Sequence, residues 1–237
     1  MKKILFLFLI FISCKEENSK KITKITANTS ERKCIITDTI SDKYKTSVEK
    51  EFNYSRSRIL YIGKEKDSIF IQRFFEQEEI SFSDFRNPKV KDINIFVDTS
   101  QIIGEFFKFP EPPPPLSYKK EILKEDRLFY SYKSYPVVIK NLSKDTLYAS
   151  FGEIIPIYIE AIDSSNQWKP IQNRFQYFCG VGVSRFYLPK NEIMISNCKI
   201  FKGNFKTKMR MVFGYEEKIY SNEFSGKINY TQFDHKK

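Results

Sequence analysis

Nine residues near the C-terminus, Phe205-Lys206-Thr207-Lys208-Met209-Arg210-Met211-Val212-Phe213, constrain the fold more than any other stretch. Side chains along an extended strand alternate between two faces. Phe205, Thr207, Met209, Met211 and Phe213 therefore share one face, and Lys206, Lys208 and Arg210 share the other. A slip of one residue would bury three cations, so the register is firmly set. The first face belongs against a core. The second meets water or an anionic partner.

Short apolar segments of this kind recur through the second half of the chain. Pro136–Asn141, Asp145–Ser150, Pro156–Asp163, Phe175–Val183, Glu192–Phe201 and Lys218–Phe224 join Phe205–Phe213 as expected strands. Turns are expected at Lys140–Lys144, Ser164–Gln167, Leu188–Asn191 and Gly214–Glu217. Strands separated by regular turn signals predict a mainly β fold, an antiparallel β-sandwich over residues 135–233. Residues 34–108 read as a smaller β-rich N-terminal lobe. Within it, Arg58–Tyr61 and Ser68–Gln72 flank the polar Gly63–Asp67 and predict a hairpin. Asp92–Val97 alternates, with Ile93, Ile95 and Val97 on one face, whereas Phe74–Phe85 fits a strand or a short helix equally well. Between the halves lies a proline-rich segment, 109–118, containing Pro110-Glu111-Pro112-Pro113-Pro114-Pro115. Proline fixes φ and lacks a donor, so this piece is expected to be polyproline II. It reads as a stiff connector between lobes, the alternative being a recognition site for an SH3-like partner.

The N-terminus carries a different kind of signal. Lys2 and Lys3 precede nine apolar residues, Ile4–Ile12. That run is too short for a membrane span, which needs about 20 residues, and has the length of a secretory signal core. Ser13-Cys14 follows in place of an A-x-A site, and the arrangement resembles the lipobox of bacterial lipoproteins. The resemblance implies cleavage of residues 1–13 and lipid attachment at Cys14, with two or three acyl chains giving a firm membrane anchor. Lys15-Glu16-Glu17 resembles the surface-export signal of Bacteroidota-type lipoproteins. It implies an outer-membrane protein facing the cell exterior, the alternative being a periplasm-facing anchor. Residues 14–33 are rich in Lys, Asn, Ser, Thr and Glu and read as a flexible tether.

The whole chain has a formal charge of +11. Of its 40 Lys and Arg two precede Cys14, so 38 face 29 acidic residues in the processed chain, a net of about +9. Such a surface attracts anions, but no block of five basic residues occurs, so the expectation is a solvated basic surface with at most weak anionic-ligand binding and no specific nucleic-acid partner. The lone histidine, His235, lies two residues from the end, which leaves Ser-His-Asp and Cys-His chemistry without a base in the body of the protein. No zinc-ligand spacing, G-x-S-x-G, G-x-G-x-x-G or P-loop occurs. Acid pairs such as Glu78-Glu79 and Glu216-Glu217 sit in polar stretches. The sequence therefore nominates no catalytic residue, no metal site and no cofactor.

In an oxidising compartment the cysteines other than Cys14 become candidates for disulfides. The midpoint of Cys179 and Cys198, between residues 188 and 189, falls within the Leu188–Asn191 turn. A hairpin there would set them opposite each other, within disulfide reach. Two rival outcomes stay open: Cys34 takes one partner, or the turn crosses between sheets and separates the pair.

The string formed by WKPI at 168–171, CG at 179–180, LPKNE at 188–192, KGNFKTKMR at 202–210 and YSNEFSGKIN at 220–229 resembles the C-terminal immunoglobulin-like module of small Bacteroidota lipoproteins. The resemblance implies an immunoglobulin-like sandwich and a cell-envelope address, and no activity. Asp38-Thr39-Ile40, Asp67-Ser68-Ile69 and Asp145-Thr146-Leu147 resemble O-glycosylation acceptors of the same bacteria, implying Thr39, Ser68 and Thr146 as hydroxyl positions; such triplets are also ordinary turn-to-strand sequences. The expectation is a lipid-anchored binding or structural module, meeting the membrane through its anchor and a glycan or protein partner through its body. The alternatives are an immunity lipoprotein against a cognate toxin, and an envelope glycan hydrolase using two carboxylates.

Overall fold

The apolar alternation resolves into many short strands and one long one. The computed structural model describes residues 34–38, 47–48, 54–71, 84–108, 129–175, 184–214 and 217–234. Their strands are β1 (Ile35–Thr37), β2 (Ser47–Val48), β3 (Tyr61–Gly63), β4 (Ser68–Phe70), β5 (Ile93–Val97), β6 (Ile103–Lys108), β7 (Phe129–Asn141) and β8 (Leu147–Phe151). There follow β9 (Ile157–Ile162), β10 (Trp168–Pro170), β11 (Arg185–Leu188), β12 (Ile193–Lys199), β13 (Phe201–Lys202), β14 (Phe205–Phe213), β15 (Ile219–Tyr220) and β16 (Phe224–Ile228), then a 3-10 turn at Tyr230–Phe233.

β14 has the expected bounds and the expected faces. Met209, Met211 and Phe213 are buried, Lys206 and Lys208 are exposed, and Arg210 is half-buried. One edge of β14 pairs antiparallel with β9; the other carries β16 at its start and β15 at its end. With β10 outside β9, these strands form the first sheet. The second has the order β3-β12-β7-β5, with β6 also on β7. The two sheets close on one core in which Ile93, Ile95, Val137, Ile139 and Met194 meet Ile157, Ile159, Met209, Met211 and Phe213. Each fully buried aliphatic side chain contributes about 1.5–3 kcal/mol. The protein is a mainly β, antiparallel β-sandwich.

The division into an N-terminal lobe and a separate sandwich is corrected by the pairing. β3, β5 and β6 come from residues 34–108, yet all three belong to the second sheet, on strands of the C-terminal half. Residues from Glu31 onward form one compact unit. The reason is the length of β7. It runs 13 residues where the sequence suggests six, and its edge is filled in two pieces: β5 opposite Val137–Asn141 and β6 opposite Phe129–Ser134. Pro136 lies at the join. Its carbonyl accepts from Asp98 N at 3.0 Å, and its ring nitrogen, which has no hydrogen to donate, falls at the gap between β5 and β6. A proline that looked like a strand start is therefore tolerated in mid-strand.

The second sheet is buried on both faces, so all seven residues of β12 are buried. Its other face packs Ile103, Ile193 and Ile195 against Ile36, Leu60, Ile69 and Ile71. β1 and β4 supply part of that cover as a parallel pair, which replaces the hairpin expected across Arg58–Gln72. β3 turns instead to β12, because Ile59 and Leu60 are consecutive and enter the two different cores.

The hairpin expected about Leu188–Asn191 also does not form. β11 pairs with β8, while β12 pairs with β3 and β7, so the turn crosses between sheets. Cys198 lies opposite Tyr135 of β7 and is a free, fully buried thiol. The geometry on which a Cys179–Cys198 bridge was expected is absent. Segments 1–33 (signal, lipid-bearing Cys14 and tether) and 109–128, which holds the proline connector, lie outside the described residues, as do 176–183 of the strand expected at Phe175–Val183.

Candidate functional site on the outer face of the first sheet

The face of the first sheet turned away from the core is built by alternation in four strands. β9 puts Tyr158 and Glu160 there, and β14 puts Arg210 directly opposite Glu160. β10, outside β9, brings Trp168 opposite Ile162. β15, outside the end of β14, brings Tyr220 opposite Val212.

These placements converge on one guanidinium. Arg210 donates from Nε at 3.0 Å and from Nη2 at 2.7 Å to Oε2 of Glu160. Its Cζ lies 4.1 Å from the Trp168 ring centroid and 3.8 Å from that of Tyr220. A weakly hydrated planar cation between two aromatic rings gains from the quadrupole of each. Lys218 adds a second cation 3.6 Å from Oε1 of Glu160. The Glu160 side chain is only 5% exposed and Arg210's is 19%, so the charges are held out of water and depend on each other. Tyr158 stands beside them, its phenol pushed up by burial and then by the Glu160 charge.

The result is a ladder of Trp168, Arg210 and Tyr220 crossing the sheet from β10 to β15, with Tyr220 exposed. Toward the start of β14 the face becomes basic. Lys208 pairs with Glu223 at 3.1 Å, and Lys206 and Lys227 face each other across β14 and β16. Aromatic edges, hydrogen-bonding charges and exposed ammonium groups on an open sheet face suit an extended polar ligand with apolar patches rather than a small molecule in a cleft.

Two other charged clusters serve the framework. Arg86 clamps Asp92, through Nη1 at 2.5 Å, to Asp145, through Nε at 2.6 Å. Its guanidinium is raised by hydrogen bonds to Asp92 and Asp145, and the Asp92 carboxyl is lowered chiefly by its bonds from Arg86. Between the second sheet and its outer cover, Lys199 lies 3.4 Å from Glu105 and over the Tyr132 ring. Among the described residues no three His, Cys, Asp or Glu side chains converge to hold a metal ion.

Of the residues singled out from the sequence, Cys14, Lys15, Glu16, Glu17, Thr39 and Cys179 lie outside the described residues. Ser68 is exposed at the start of β4, opposite Ile35. Thr146 is half-buried just before β8, and its carbonyl accepts from Arg86 N at 3.3 Å. Lys206, Lys208 and Arg210 do share a face, as expected, but Arg210 is committed to Glu160. Sequence reasoning missed Glu160, Trp168 and Tyr220. Alternation in β9 was enough to set Glu160 beside Tyr158; nothing local reveals that Trp168 and Tyr220 flank Arg210. Comparison with known proteins finds no matching family model, curated protein or solved structure.

Proposed function

We propose that this protein is a lipid-anchored cell-envelope binding module, displayed on the outer membrane toward the exterior, that holds a glycan on the outer face of its first sheet. The observation that carries the reading is the Trp168–Arg210–Tyr220 ladder: a pre-ordered aromatic and charged platform on a sheet face turned away from the core. Sugars present apolar C–H faces and hydroxyls together, which matches rings flanked by hydrogen-bonding charges. Rigidity lowers the entropic cost of binding. The address rests on the leader, Cys14 and the Lys15-Glu16-Glu17 segment. A lipid at Cys14 supplies the membrane attachment and leaves the body free to meet its ligand.

The test has two arms. Cys14→Ala should abolish fatty-acid labelling and release the protein from membranes, and intact cells should lose the wild-type protein to external protease. Retention of Cys14→Ala in the membrane fraction contradicts the anchor, and protease protection contradicts surface display. On a glycan array, wild-type protein should bind and a Trp168→Ala/Tyr220→Ala variant should lose binding. Equal binding by both contradicts the site.

A further inference from the structure

Lys206 of β14 and Lys227 of β16 stand directly opposite each other in the antiparallel register. Both belong to the outer face and both are exposed. Directly opposed residues on one face have Cβ atoms about 4.5–5.5 Å apart, and like charges there repel. Each of the other cations of this face has a carboxylate partner: Arg210 and Lys218 share Glu160, and Lys208 pairs with Glu223. Among the described residues Lys206 and Lys227 alone on this face lack a carboxylate partner. The register thus sets two like-charged side chains opposite each other on one face. A bound anion bridging both converts that repulsion into two charge-assisted hydrogen bonds.

We infer that Lys206 and Lys227 form an anion subsite that takes the carboxylate of an acidic polysaccharide lying along the basic end of the platform. This rests on the binding face proposed above and specifies its ligand class. The distribution of charge favours an acidic glycan over nucleic acid. Glu223 and Glu160 are interspersed among the cations, and their carboxylates can accept from the hydroxyls that a sugar carries beside its charge, where the consecutive phosphates of DNA meet only repulsion.

Sodium polygalacturonate is the probe, with dextran as the neutral control and oligo(dT) and phosphatidylglycerol vesicles as rival polyanions, each titrated against the full-length protein at low and high salt. Wild-type protein should prefer polygalacturonate to dextran, and the preference should shrink as salt rises. Lys206→Gln/Lys227→Gln should weaken polygalacturonate binding about tenfold or more and leave dextran binding unchanged. Lys206→Glu, which places an ion pair across the two strands and so keeps them paired, should lose the preference too. Polygalacturonate binding that ignores both lysines overturns the subsite while leaving the platform standing. Tighter, lysine-dependent binding of oligo(dT) or of the vesicles overturns the assignment to a glycan. Failure of wild-type protein to bind either glycan overturns the platform itself.

Discussion

Arg210 places two donors on a single oxygen of Glu160 while its guanidinium plane is held between Trp168 and Tyr220. Four strands, β10, β9, β14 and β15, each contribute one of these side chains or its support. The arrangement therefore reports on the assembly of the whole first sheet.

Arg210→Met should be strongly destabilising. It leaves Glu160 nearly buried with Lys218, at 3.6 Å, as its one cationic partner among the described residues. Breaking a buried pair from one side costs about 3–5 kcal/mol, and Arg210 being partly exposed puts the expectation at the lower end. The double variant Arg210→Met/Glu160→Met should recover most of the loss, since neither charge is then stranded. Urea denaturation of the four proteins in a cycle gives the coupling directly; additive losses would show that the pair is not coupled.

Stability should fall on acidification below the ordinary carboxylate range. Asp92 is lowered by its bonds from Arg86, and Asp163 by its bond from Lys169 and then the amides of Gln167 and Ser165. A carboxylate whose folded pKa is depressed contributes stability above its unfolded value, near 3.9, and loses it as pH drops toward the folded value. Asp92→Asn should cost about 1–3 kcal/mol at neutral pH and flatten the acid limb. Thermal melts of both proteins between pH 2 and 7 test this; parallel acid limbs would show that Asp92 contributes no pH dependence.

Cys198 should resist chemistry in the folded protein. It is fully buried in the sandwich core, and burial first, with the Glu105 charge behind it, pushes its thiol far up. The thiolate is the reactive form. Iodoacetamide should leave Cys198 unmodified under native conditions and alkylate it completely in urea, as read by peptide mass spectrometry. Recovery of Cys198 in a disulfide-linked peptide from unreduced protein would contradict the free thiol.

Gln101 acts as a substitute strand for the edge of β1. Its Oε1 accepts from Ile36 N at 2.8 Å, and its Nε2 donates to the carbonyl of Cys34 at 2.8 Å and to Asp98 at 2.6 Å. Gln101→Ala removes the acceptor of the Ile36 amide. The exchange rate of that amide should rise by about 5- to 13-fold, for a bond worth about 1–1.5 kcal/mol. Unchanged protection at Ile36 would place the stabilisation of this edge elsewhere.

What could be read in the sequence was local. The two faces of Phe205–Phe213 follow from a period of two, and their separation into Met209, Met211 and Phe213 inside and Lys206 and Lys208 outside is what the structure has. The strands at Ile93–Val97, Leu147–Phe151 and Ile157–Ile162 were legible for the same reason, as was the turn after Asp163, where its side chain accepts from Ser165 and Gln167. The interest of Lys206 and Arg210 was visible, and their different fates were not. Arg210 and Glu160 are 50 residues apart, and Lys206 meets Lys227 only because β16 returns along the same edge.

Periodicity by itself determined which side of each strand faces a core, because that depends only on the alternation of neighbouring side chains. Tertiary structure alone decided which strands are partners. Backbone donors and acceptors are the same in every strand and carry no address, so β11 and β12 were free to join different sheets across a turn that looks like a hairpin. Two cores decided the matter: Ile59 entered one and Leu60 the other, β12 was needed between them with both faces buried, and the long edge of β7 drew β5 and β6 into one sheet with the C-terminal strands.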